Sequence, residues 1–408
     1  MGLELEDLKA VLLDLLSTER HVATARVSSL TEEEWSVLLS MARQHRLAPL
    51  LNWRLAHEKA DVAVPGDVGE ALAGSFKTSA LRALVIQREL VRLRRILGEA
   101  GIPCVALKGA DLAFSVYPHP ALRPLRDLDV LVAKERALDA YQALIAGGYR
   151  RLAAYPGDPQ ASIAVGKHLP ALRSASGQLL VELHVRLIDP DPARVTAFDE
   201  SGLWGRLTER TAAGASISYL SATDLLLHLA VHAVYDHRFI NGPLVISDVS
   251  FLVRGTQIDW PLFWRLADEG GWTRGCLLLL ELVQGYCGEL PVDVPESACS
   301  EPGSMDALVA TCSSLMLSDL TSRDEILLAG ALAGRPVRQQ LSILLRKAVP
   351  PRAVIAANYP AADHPLGVYF GYLSKFATRV PQILASRRNA AVRSGAVKMA
   401  ELDRWLTP

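Results

Sequence analysis

Apolar residues recur at helical spacing through the first hundred positions. Trp35, Leu38, Leu39 and Ala42 form one stripe, and Thr31 with Glu34 three residues later predicts a capping box ahead of it. Ile86, Leu90, Leu93 and Leu97 line one side of a later helix whose other side is basic and solvated. The period then changes. Gly101 and Pro103 break the helix, and IPCVAL reads as a strand. A short helix, ADLAFSVY, and a loop punctuated by Pro118, Pro120 and Pro124 lead to a second strand, LDVLV. Residues 134–146 form an amphipathic helix closed by Gly147 and Gly148. A short strand at Tyr149–Leu152 and a loop over 155–166 follow. HLPAL and LLVELHVRL read as antiparallel strands joined by Ser174–Gln178, with Gly177 at the turn.

From Ser221 the helical period returns in SATDLLLHLAVHAVYDHR, with Ser221 as cap and Asp224 in the first turn. The fold class is therefore α+β: a mixed sheet with helices, flanked by N-terminal and C-terminal helical regions. The expected organisation is a helical region over 1–97, an α/β core over 98–200, a helical bundle over 201–350 and a partly helical segment over 351–408. A Pro/Ala-rich stretch at 350–362 reads as a linker or long loop.

With 408 residues the chain has room for more than one core, and 50% hydrophobic with 21% charged residues is a soluble, folded composition. A formal net charge of −1 argues against the broadly basic surface that nucleic-acid binding needs. The cysteines, Cys104, Cys276, Cys287, Cys299 and Cys312, are odd in number and lack metal-knuckle spacing, which points to a reducing, cytoplasmic setting. The beginning, MGLELEDLKAVLLDLL, is acidic and amphipathic and does not read as a signal peptide. Apolar runs such as CLLLLELV are too short to span a bilayer, so no membrane partner is expected. Oligomeric state is left open.

The chemistry concentrates in LRPLRDLDVLV. Side chains alternate across a strand, so Asp127 and Asp129 share a face while Leu128 and Val130 face the core. Two close carboxylates repel, and a hard divalent ion such as Mg²⁺ removes that cost. In VELHVRL, Glu182, His184 and Arg186 share the face opposite Val181, Leu183, Val185 and Leu187, and Glu182 is the best third carboxylate. Lys108-Gly109 sits between a strand and a helix, where glycine permits close backbone approach and Lys108 offers positive charge to a phosphate. Arg123 and Arg126 precede the acidic pair and are candidate phosphate clamps.

The stretch LKGADLAFSVYPHPALRPLRDLDVLV resembles the signature of a family of uncharacterised nucleotidyltransferases within the DNA polymerase beta-like superfamily. That superfamily has a Gly-Ser turn at a helix start, an Asp-x-Asp on the next strand and a third acid on a later strand. The matching places here are Lys108-Gly109, Asp127 with Asp129, and Glu182. The superfamily's serine is replaced, since the chain reads Lys-Gly-Ala. His168 of HLP, Glu182 and His184 of ELH, and His228, His232, Asp248 and Asp259-Trp260 further on also match. The similarity covers roughly residues 30–300 and is strongest at 101–187.

The resemblance implies a polymerase-beta-like fold. It also implies Mg²⁺-dependent transfer of a nucleoside monophosphate from an NTP, ATP first among them, to an acceptor hydroxyl, with release of pyrophosphate. Asp127 and Asp129 would hold metal, and Glu182 would hold a second metal or act as base. Lys108, Gly109, Arg123, Arg126, His168, His184 and His232 are the candidates for binding the nucleotide cofactor. A small-molecule acceptor is the leading reading, with a protein hydroxyl as alternative. RNA tailing, and a non-catalytic nucleotide-binding regulatory or toxin–antitoxin role, are the other classes. Plainer roles stand beside these: a solvated strand end for the aspartates, an ion pair to Arg123 or Arg126 for Glu182, and hydrogen-bonded structural roles for the histidines and Asp248.

Overall fold

The computed structural model describes residues 3–17, 27, 29–57, 62–153, 157–189, 198–212, 214–296, 305–358, 369, 372 and 389–407. Cys299 and positions 359–362 of the expected linker lie outside the described residues. The chain divides into two compact units that interleave along the sequence. One comprises residues 1–91, 106–126 and 196–317, and the other 92–105, 127–195 and 318–408.

The first unit is mostly helical. Its helix Glu32–Gln44 begins at the expected capping box: the Glu34 amide donates to Thr31 Oγ1 at 3.2 Å, and the Thr31 amide donates to Glu34 Oε2 at 2.7 Å. The same helix ends in a Schellman motif, with Leu47 N–H on the Ala42 carbonyl at 2.6 Å and Arg46 N–H on the Arg43 carbonyl at 3.1 Å. The residue after its C-cap is Arg46, at φ +63°, a left-handed position that favours glycine by about 1 kcal/mol. Helix Ala222–Val231 starts as expected at Ser221, whose hydroxyl accepts from the Asp224 amide, and Arg206 grips the Asp224 carboxylate through two bonds of 2.9 and 2.6 Å.

This unit also contains a hairpin that the periodicity did not reveal. Strands Thr208–Ala212 and Ala215–Tyr219 pair antiparallel, with Gly214 at φ +80° in the turn. Much of the first strand is exposed, so it lacks the run of apolar side chains that identifies a strand from sequence.

The second unit holds the mixed sheet. Numbered in chain order, its strands are β1 (Cys104–Ala106), β2 (Asp127–Val132), β3 (Arg150–Arg151), β4 (Leu172–Arg173) and β5 (Leu180–His184), arranged β3-β4-β5-β2-β1. The last residue of β1 is counted with the first unit. β2 and β5 run parallel, while β4 pairs antiparallel with both β3 and β5. Gly177 takes φ +75° in the β4–β5 turn. Leu128, Val130 and Val132 are buried on one face of β2. Where a loop was expected over 155–166, a helix runs from Pro159 to Val165. Asp158 caps it by accepting from the Gln160 and Ala161 amides, and Pro159 takes the first turn, where its missing N–H costs nothing. Helix Ala390–Leu406 supplies the helical character expected near the end, whereas a second helix, Arg352–Asn358, occupies part of the 350–362 stretch where a linker or long loop was expected: its alanines favour helix once Pro350 and Pro351 lie just ahead of its first residue. Among the described residues no helix is long and apolar enough to cross a membrane.

Asp111, in the first unit, is almost wholly buried and receives a hydrogen bond from Ser115 Oγ at 2.7 Å. Burial pushes its pKa up to about 7, against the lowering effects of Ser115, the Arg210 charge and the Leu220 backbone. Between about pH 4 and 7 the folded chain keeps this proton and the unfolded chain releases it, so stability falls as pH rises through that window. Asp111→Asn should flatten this part of the profile and raise stability at pH 8 by a few kcal/mol, at about 1.4 kcal/mol for each tenfold difference in proton affinity between the folded and unfolded chains. Denaturant unfolding at pH 4.5, 6 and 8 measures it, and parallel profiles for the two proteins would refute it.

Candidate functional site

β2 and β5 pair in parallel with Asp127 opposite Leu180, Asp129 opposite Glu182 and Leu131 opposite His184. Alternation therefore places Asp127, Asp129, Glu182 and His184 on one face of the sheet. Asp127 is exposed at the strand start, Asp129 is buried, Glu182 is half-buried and His184 is fully buried. His184 Nε2 lies 3.1 Å from Asp129 Oδ1 and 3.7 Å from Glu182 Oε2. A carboxylate offers only acceptors, so Nε2 carries the proton and the imidazole ties the two acids together.

His168 forms a β-bridge with His184, and their rings stand 5.4 Å apart. Its Nδ1 donates to the Leu169 carbonyl at 3.0 Å. For Glu182, burial raises the pKa and the Asp129 charge adds to that. The His184 hydrogen bond and the charges of His168 and His184 outweigh both, and the carboxyl is held below its ordinary range.

One atom each from Asp129, Glu182 and His184 fall within 4.8 Å of one another, and with the His184 proton directed at the acids the two carboxylates are the oxygen ligands of the group. Two carboxylates in that set suit a hard divalent cation. Asp127 stands outside this trio, two residues earlier on the same face.

The remaining sequence candidates belong to the other unit. Lys108 takes φ +47° at the start of a four-residue helix, Lys108–Asp111, that continues as a π-helix over Leu112–Val116. A Cβ on Gly109 would sit 2.7 Å from Leu125 Cδ2, so the glycine admits a packed leucine. Arg123 Nε donates to Asp248 Oδ1 at 2.7 Å, and Tyr117 Oη donates to the same oxygen at 2.7 Å. Arg126 is exposed. His228 is buried, and His232 lies edge-on both to it and to His237, with Nδ1 3.4 Å from Asp236 Oδ2. The structure thus gathers Asp127, Asp129, Glu182, His168 and His184 in one unit. Lys108, Gly109, Arg123, Arg126 and His232 fall in the other.

Two features escaped sequence reasoning. Asp111 sits inside an apolar stretch, and that is the signal that could have marked it as a buried acid. The partner of Asp248 lies 125 residues away, beyond any local pattern.

The profile of one protein family, described as an uncharacterised nucleotidyltransferase, matches residues 31–288. No curated protein matches the chain.

The Arg123–Asp248 pair is almost enclosed, with side chains 13% and 4% exposed. Removing one partner strands a buried charge. Arg123→Met should cost about 3–5 kcal/mol in denaturant unfolding, and adding Asp248→Asn should recover much of that. A phosphate clamp with no structural duty would leave stability unchanged.

Proposed function

Because the chain belongs to the uncharacterised nucleotidyltransferase family, we propose that it moves a nucleoside monophosphate from ATP to a hydroxyl of a small-molecule acceptor. The observation that carries this reading is the convergence of Asp129, Glu182 and His184 within 4.8 Å, inside the matched segment.

The acceptor oxygen forms a bond to the α-phosphorus, and the bond from that phosphorus to the bridging oxygen breaks. The electron pair leaves on pyrophosphate, and the acceptor's proton passes to a carboxylate. Glu182 is held ionised, which suits it to act as an oxygen ligand for a cation. Asp129 and Glu182 would hold Mg²⁺, with Asp127 as a third carboxylate on the same face. Bound there, the cation supplies neutralisation of the triphosphate and polarisation of the α-phosphorus. His184 is a positioning residue: its Nε2–H bonds one oxygen of the Asp129 carboxylate and so fixes the direction in which the group points. His168 packs against the same imidazole and limits its rotation. The net charge of −1 supports a small acceptor over a nucleic acid.

Mass spectrometry of candidate acceptors after incubation with each NTP and Mg²⁺ tests the reaction through the added nucleoside monophosphate. Asp129→Asn should lower pyrophosphate release by about 10³-fold, the several kcal/mol expected when metal-assisted charge stabilisation is lost. Its fold should persist, since amide replaces carboxylate at equal size. Glu182→Gln should reduce kcat more than it raises KM for the triphosphate. Normal turnover in Asp129→Asn would remove the metal assignment.

A further inference from the structure

From Ile326 to Ala362 the sequence carries four arginines and a lysine and no acid. Within this stretch the second unit has the helix Val337–Ala348. None of its described side chains is buried, and only Gln340, Ile343 and Leu344 are half-buried. Val337, Leu341 and Leu345 are 79%, 56% and 55% exposed. Residues four apart stack on one helix face, so these three form an apolar row along about 12 Å of helix. Arg338, Ser342 and Arg346 form an exposed row beside it, and Val349, just past the helix, is exposed as well. Elsewhere among the described residues, exposed large apolar side chains occur singly or as the pair Leu81 and Leu84. Scattered ones need no explanation, whereas a continuous row marks a contact surface.

We infer that the helix Val337–Ala348 docks on the surface of an anionic lipid bilayer, with Val337, Leu341 and Leu345 against the acyl chains and Arg335, Arg338, Arg346 and Arg352 at the headgroup phosphates. Twelve residues are too few to cross a bilayer. A helix with an apolar row, a basic row and low overall hydrophobicity lies in the interface instead. Charge selects this occupant. All four arginines are exposed, and among the described residues none has an ion-pair partner. Their uninterrupted positive charge complements a negatively charged leaflet. A second copy of the chain would set arginine against arginine, with no acid in the stretch to answer them. A nucleic acid would leave the leucines in water, and the helix offers no aromatic ring for a base to stack on.

A helix of this length is marginal by itself and depends on covering its apolar face. Here that face is open, and docking supplies the cover that packing does not. The arginines suit the same geometry, since their aliphatic stems extend the apolar surface while their guanidinium groups reach outward to phosphate. Three apolar side chains with no lipid anchor make a weak, reversible contact, so binding should respond steeply to lipid charge and to salt.

Flotation of the full chain with vesicles tests this, using phosphatidylcholine alone and an equimolar mixture with phosphatidylglycerol. The chain should float with the mixed vesicles, bind pure phosphatidylcholine at least tenfold more weakly, and be released in about 0.5 M salt, where screening acts within about 4 Å. Arg338→Gln with Arg346→Gln should weaken binding more than tenfold, at about fivefold for each cation. Leu341→Gln with Leu345→Gln should also weaken it at least tenfold. Both leucines are exposed and glutamine favours helix, so the fold is kept. Asp129→Asn should float like the unchanged protein, which separates this result from that of the transfer reaction. Absence of flotation with the mixed vesicles, or unaltered affinity in either double variant, overturns the proposal. Capture by immobilised polyglutamate in place of vesicles would assign the helix to an acidic protein and overturn it too. So would a self-associated chain that does not float and that the leucine changes return to monomer.

Discussion

The parallel register of β2 and β5 sets Asp129 directly opposite Glu182. Like charges in that relation destabilise a sheet, and one of these two is buried. A slip of one residue in either strand would turn its acid to the other face and bring Leu128 or Leu183 out. The apolar residues on the core face therefore enforce an arrangement that the carboxylates themselves oppose. His184, one pleat further along β5, offsets part of the repulsion by reaching both acids through one N–H. The result is a dense set of oxygen ligands of one sign, held in place by packing on the opposite face.

The first unit treats its charges differently. Asp248 is neutralised outright by Arg123 and Tyr117, so its burial is compensated. Asp111 has Ser115, the charge of Arg210 and the Leu220 backbone, which together fall short of its desolvation, and its pKa is pushed up to about 7. Compensated charge in this protein is structural. The acids set side by side across β2 and β5 are charge of one sign that a cation would complete.

The elements that were legible in the sequence are those whose signal is local. The Thr31/Glu34 box, the Ser221 cap, the β4–β5 turn at Gly177 and the alternation through β2 each depend on residues within a few positions. The hairpin Thr208–Ala212/Ala215–Tyr219 was not legible, because its first strand is too exposed to show apolar alternation. The helix Pro159–Val165 was obscured by the Asp-Pro that starts it, a pair equally suited to a turn.

By itself, the sequence determined which side chains share a face: period two places Asp127 with Asp129 and Glu182 with His184, whatever else the chain does. Only the tertiary structure decided which of those faces meet. Strand order and register bring residues 129, 182 and 184 together, and the Arg123–Asp248 bond commits Arg123 to a buried partner. The reason is one of range: dihedral preference and side-chain alternation act over a few residues, whereas electrostatic partnership depends on distance through space.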